Sequence, residues 1–274
     1  MSAAVLWNVR PSPTGRQLIM FPFLGGFGAS YNRLVNNLSG DWDVWTVNPP
    51  GHGPSHEPPI RRLADMVDCY LENLRDVLRP DAVFFGHSMG GIIAYRVLTA
   101  MTGNAEYTAR RPTELVVSAA RAPRRLQVAG IAALPERELL QHLLGFGAIP
   151  EEVAADRSLL EMFLPAFRAD YEVLTQAQEL PVVRLDVPAH LILGGRDSQT
   201  PEGTPADWQE HFDTPIRVHV LPEEGHMFVL TATDPVDRIL SGLTRTTAGA
   251  PAGGIPAQRN VLSRNAWNRV PARN

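Results

Sequence analysis

Four residues suited to a buried strand, Ala82 to Phe85, run straight into Gly86-His87-Ser88-Met89-Gly90 and then into an apolar, helix-like segment, GIIAYRVLTAM. The order is strand, sharp turn, helix. A serine held at such a corner needs neighbours without side chains if its Oγ is to stand clear of the sheet, and glycines flank it at the required spacing. The helix that follows turns its free amides and the positive end of its dipole toward the same point. Gly-x-Ser-x-Gly alone recurs by chance; the strand before it and the helix after it separate a nucleophile elbow from a plain glycine-rich turn.

Strands alternate with helices on either side of this corner. After a polar lead, Gln17 to Phe23 (QLIMFPF) reads as a buried strand entering Gly25 and Gly26, and Tyr31 to Leu38 as a short helix. Trp42 to Val47 (WDVWTV) reads as a strand closed by the turn Asn48-Pro49-Pro50-Gly51-His52-Gly53. From Arg61 to Leu78, the residues Leu63, Met66, Val67, Tyr70, Leu71, Leu74, Val77 and Leu78 recur at helical spacing and predict one buried face. Leu115 to Ser118, Ala189 to Leu193 and Ile216 to Leu221 are further strands. Strands this continuously apolar predict an α/β fold, a mostly parallel central sheet with helices on both faces.

Between about 121 and 184 the alternation breaks into three helix-like pieces, Pro135 to Leu144, Pro150 to Ala155 and Ser158 to Gln178, the last with Pro165 as an expected kink. An insertion placed between strands is expected to form a helical lid over a substrate channel rather than ordinary packing. The expected folded domain spans 1–245. From 246 to 274 the chain has four arginines, no acidic residue and no periodicity, which predicts a disordered tail.

Composition removes several functions. The net charge is −4, with no basic stripe in the body of the chain, so nucleic acid is not an expected partner. All 25 basic residues are arginine. Without lysine there is neither a Schiff base nor a P-loop grip on phosphates. The single cysteine, Cys69, beside the apolar stripe of its helix, excludes an intrachain disulfide and reads as a packing residue. No stretch approaches the roughly 18 uninterrupted apolar residues of a membrane span, and Met1 to Pro13 lack a signal-peptide pattern, so a cytoplasmic protein without a membrane is expected, with a monomer as the default.

Three polar candidates follow strands in the order serine, acid, histidine: Ser88, Asp197 after Gly194-Gly195, and His226 after Glu223-Glu224-Gly225. A serine hydroxyl is a weak nucleophile at neutral pH. It needs a histidine to take its proton and a carboxylate to fix the histidine tautomer. Asp186, Asp207 and Asp213 are fallback acids, the last two in or near a helix. A tetrahedral intermediate needs two donors, for which the amide of Met89 and one in the turn after the first strand, that of Leu24 by preference, are available. His52 and His56 have a metal-like spacing, but their prolines and glycines forbid a helix and favour a loop role. His87 reads as a packing neighbour; His142, His190, His211 and His219 have no evident partner in sequence.

Taken together, FPFLGG, NPPGHG, FGHSMGG, LPAFRADYEVL, GGRD and EEGHMF resemble the type II thioesterases of non-ribosomal peptide and polyketide assembly lines, of which the surfactin-type enzymes are examples. The resemblance runs from about Gln17 to Gly242. It implies an α/β-hydrolase fold with a helical lid, a Ser88, Asp197 and His226 triad, and an oxyanion hole at Leu24 and Met89. It also implies an acyl or aminoacyl substrate tethered by phosphopantetheine to an acyl carrier protein or peptidyl carrier domain, with no metal or redox cofactor. An esterase for small diffusible esters and a non-catalytic carrier-docking module are the competing readings.

Overall fold

The computed structural model describes residues 4–145, 149 and 156–243. The helix expected over Pro150 to Ala155 and the tail after residue 245 lie outside them. Seven strands form one sheet in the order β1-β3-β2-β4-β5-β6-β7. They are β1 (Leu6–Arg10), β2 (Arg16–Phe21), β3 (Trp42–Val47), β4 (Val83–His87), β5 (Glu114–Ser118), β6 (Ala189–Gly194) and β7 (Arg217–Leu221). Every neighbouring pair is parallel except β1 with β3.

β1 corrects the reading of the first residues as a polar lead. It is an edge strand, half exposed along its length. Polar side chains are therefore tolerated: Asn8 donates to Asp43, and Arg10 donates to the carbonyls of Leu38 and Gly40.

The inner strands are buried on both faces, and alternate residues supply two separate cores. Ile19, Phe21, Phe84 and Val117 face one, shared with α2 (Leu63–Leu74) and α3 (Met89–Met101). Leu18, Met20, Phe85 and Val116 face the other, which packs on α1 (Asn32–Asn37), α7 (Phe228–Thr231) and α8 (Thr233–Ser241). This is why these strands read as unbroken apolar runs. The helix expected to reach Leu78 stops at Leu74, where the amides of Val77 and Leu78 both close on the Leu74 carbonyl. Pro80 disfavours helical backbone at Arg79 just beyond.

The insertion between β5 and β6 includes α4 (Glu136–Gly145) and α5 (Arg157–Glu179), the latter continuing through Pro165. A further short helix, α6 (Thr204–Gln209), follows β6. With helices on both faces of a mostly parallel sheet, the architecture is the α/β-hydrolase fold.

Histidines that lacked partners in sequence acquire them here. His190 lies 3.1 Å from a Glu114 oxygen and 3.0 Å from His219, while His211 lies 2.9 Å from the Tyr95 hydroxyl. Glu114 also pairs with Arg16 at 2.9 Å, so this buried row ties together the starts of β2, β5 and β6. Among the described residues no helix is long and apolar enough to cross a membrane.

β2 has β3 on one side and β4 on the other, so the chain reverses its direction of travel through the sheet between β2 and β4. Crevices outside the carboxyl ends of strands form at such switch points. The Phe21 and His87 ends of these two strands open into one.

Candidate active site

Ser88 occupies the corner between β4 and α3 with φ 53° and ψ −121°. This backbone favours glycine, and holding a serine there costs about 1–3 kcal/mol. The surroundings enforce it. The Ser88 amide donates to the Ser118 carbonyl at 2.6 Å, and the Gly91 amide to the Ser88 carbonyl at 3.0 Å. A Cβ at residue 86 would stand 2.1 Å from the Gly90 carbonyl oxygen, and one at residue 90 would stand 2.1 Å from that of Phe21. Both glycines are therefore required for α3 to pack directly against the strand ends.

His226 arrives from the loop after β7, and Asp197 from the loop after β6. The imidazole Nε2 lies 3.0 Å from Ser88 Oγ, and Nδ1 lies 2.9 Å from Asp197 Oδ2. The structure thus brings together the three side chains selected from sequence. Asp197 is further held by the Gln199 amide at 2.8 Å and the Thr200 hydroxyl at 2.8 Å, two partners the sequence reading did not name. Burial alone would raise its pKa, but the hydrogen bond and charge of His226, with Thr200 and Gln199, outweigh burial and hold the carboxyl below its usual range.

That direction fixes a sign. A carboxyl with a depressed folded pKa contributes stability that is fully present above its unfolded value of about 3.9 and is lost as pH falls through the folded value. The stability gap between wild type and Asp197→Asn, measured by urea unfolding, should therefore be constant near neutrality and shrink below about pH 4. A gap unchanged down to about pH 2 would contradict the assignment.

The fallback acids are engaged or exposed elsewhere. Asp207 pairs with Arg125 at 2.8 Å, Asp213 with Arg184 at 2.7 Å, and Asp186 is exposed. His87 is fully buried, 2.9 Å from the Ser118 hydroxyl, with its ring nearly perpendicular to that of Phe228. Burial, reinforced by His226, pushes its pKa well below the ordinary histidine value, so it packs as a neutral ring. Cys69 is half-buried, and burial, with Glu72 and Glu57 nearby, raises its thiol pKa, in keeping with a packing role.

The amides of Leu24 and Met89 donate to no protein acceptor among the described residues, and both residues line a cavity of about 200 Å³ together with Ser88 and His226. Met89 is the first residue of α3, so its amide has no partner within the helix. The insertion forms the other wall: Leu126, Val128, Ile131 and Leu174 make it apolar, and His142 and Tyr171, 2.9 Å apart, add a polar pair.

His52 and His56 do not act together. His56 is exposed, whereas His52 is buried, its Nε2 3.1 Å from Asp170 Oδ2 and its Nδ1 3.1 Å from the Pro50 carbonyl. The same Asp170 oxygen accepts the Gly25 amide at 2.7 Å. Sequence reasoning missed Asp170. Its signal was a carboxylate on the apolar stripe of α5, between Phe167 and Leu174. Among the described residues no group of three or more His, Cys, Asp or Glu is placed to hold a metal ion.

A nucleophilic serine activated through histidine and carboxylate, beside two free amides and an apolar cavity, is equipped for acyl transfer. Comparison with known proteins agrees. Residues 16–246 match the family described as Thioesterase domain. The chain is 27% identical to thioesterase PikA5 of Streptomyces venezuelae, over 96% of this chain and 94% of that protein. It is 29% identical to the medium-chain S-acyl fatty acid synthase thioesterase of Rattus norvegicus, over 78% of this chain and 81% of that protein. Among solved structures, the type II thioesterase BorB from the borrelidin biosynthetic cluster superposes with a TM-score of 0.77 at 28% identity, covering 88% of this chain and 98% of that chain. By its sequence and its fold, this chain belongs to the thioesterase family.

Proposed function

We propose that this thioesterase hydrolyses acyl or aminoacyl thioesters from the phosphopantetheine arm of carrier domains in non-ribosomal peptide or polyketide synthesis, freeing carriers that wrongly loaded groups have blocked. The observation that carries the reading is the Ser88–His226–Asp197 relay, with contacts of 3.0 and 2.9 Å, opening into a largely apolar cavity. The borrelidin-cluster enzyme and a probable cadicidin biosynthesis thioesterase of Streptomyces griseus, 24% identical over 86% of this chain and 64% of that protein, support the setting.

Ser88 Oγ attacks the thioester carbonyl carbon as its proton passes to His226 Nε2, and the amides of Leu24 and Met89 receive the negative oxygen. The tetrahedral intermediate collapses with cleavage of the C–S bond, and His226 returns the proton to the departing thiolate. A water molecule then attacks the acyl-serine while His226 takes its proton. The second collapse frees the carboxylic acid and restores the Ser88 hydroxyl. Asp197 keeps the proton on His226 Nδ1 throughout and stabilises the imidazolium.

Mass spectrometry of carrier domains loaded with a panel of acyl groups, before and after exposure to the enzyme, tests the proposal. The expected result is loss of the acyl mass with the pantetheine thiol left free. Carrier domains left fully loaded while small esters of the same acyl groups are cleaved would overturn it in favour of an esterase.

A further inference from the structure

The turn that carries Leu24 is held from the insertion. Its hydrogen bond runs from the Gly26 amide to the Phe23 carbonyl at 2.8 Å, and Gly25 has φ +70°. A positive φ at the third position marks a type II turn, whose middle peptide is turned over relative to type I. The Gly25 amide belongs to that middle peptide, and Asp170 of α5 accepts it. One helical turn earlier on α5, the Phe167 ring lies where a Cβ at residue 25 would be, 2.3 Å from it. Gly25 is thus clasped between two residues of the insertion helix, and the Leu24 amide precedes the clasped peptide by a single Cα.

A buried carboxylate this close to a developing negative oxygen would oppose it unless neutralised. His52 supplies the counter-charge. Both of its ring nitrogens face acceptors, the Pro50 carbonyl and Asp170, a pattern that only the imidazolium satisfies with two donors. Although burial works against the charged ring, Asp170 outweighs it and raises the pKa of His52.

We propose that Asp170, with His52 as its counter-ion, is a positioning residue for the oxyanion hole, so that the insertion helix sets the place of the Leu24 amide through Gly25. The inference rests on the assignment of Leu24 as an oxyanion donor in the proposed mechanism.

Removing an oxyanion donor outright costs roughly 10²- to 10³-fold in kcat, and a displacement of about 1 Å costs up to about 10²-fold. Asp170→Ala should therefore lower kcat on an acyl-carrier thioester about 10- to 100-fold, with KM changed by less than about threefold. Binding of a trifluoromethyl ketone analogue, which forms a tetrahedral adduct with Ser88, should weaken by the same factor. Asp170→Asn keeps an acceptor for the Gly25 amide and should remain within about fivefold of wild type. If Asp170→Ala loses the wild-type circular dichroism, Asp170→Leu, which refills the volume with apolar atoms, takes its place.

A folded apolar variant with wild-type kcat, a change confined to KM, or an Asp170→Asn protein as impaired as the apolar variant overturns the positioning role. Ser88→Ala, assayed beside them, separates the two levels. Full activity there would overturn the mechanism itself, whereas an inactive Ser88→Ala beside a fully active Asp170→Ala overturns only this inference.

Discussion

Ser88→Ala is expected to lower kcat on an acyl-carrier thioester by about 10⁴- to 10⁶-fold while the protein stays folded. Alanine keeps the Cβ, so the strain at φ 53° is unchanged, and the backbone bonds to Ser118 and Gly91 do not involve the lost hydroxyl. The two free amides would remain to polarise a bound carbonyl, which is why the residual rate should stay above that in water. Intact-mass measurement should show an acyl adduct on wild-type Ser88 and none on the variant. Ser88→Gly should be equally inactive yet more stable, because the strain of about 1–3 kcal/mol is largely relieved. A Ser88→Ala protein that clears carriers at the wild-type rate would end the covalent mechanism.

Asp197→Asn is expected to cost about 10⁴-fold in kcat, chiefly through the tautomer of His226. The carboxylate accepts from Gln199 at one oxygen and from Thr200 at the other, and the second oxygen also faces His226 Nδ1. An asparagine must place its NH₂ at one of these two positions. Facing the Gln199 amide, it would set donor against donor. Facing His226, it donates to Nδ1 and drives the ring proton onto Nε2, where it blocks acceptance of the serine proton. Loss of the low-field Nδ1 proton resonance should accompany the loss of rate. Retention of that resonance together with full activity would show that the carboxylate does not set the tautomer.

The elbow was legible in sequence because the same steric demand that places Ser88 at the corner dictates its glycines. The inner strands were legible for a related reason: burial on both faces leaves β2, β4 and β6 with continuous apolar runs. β1 was not, since an edge strand needs no such run and its polar side chains bond across to Asp43 and to loop carbonyls. Ser88, Asp197 and His226 could be selected one by one from strand ends, because each stands just past a recognisable strand. The His52–Asp170 pair could not be selected in this way. Its members are 118 residues apart and meet only when α5 folds back over the turn after β2. A lone carboxylate on an apolar helix face signals a buried partner without saying which.

The insertion leaves the sheet after β5 and returns before β6, so exchange between relatives would in principle leave the nucleophile and its relay untouched. The clasp on Gly25 sets a condition on such chimaeras. A transplanted cover must bring an acceptor equivalent to the Asp170 oxygen into register with the amide that corresponds to that of Gly25. Otherwise a graft intended to alter acyl preference would also slow turnover for every substrate alike.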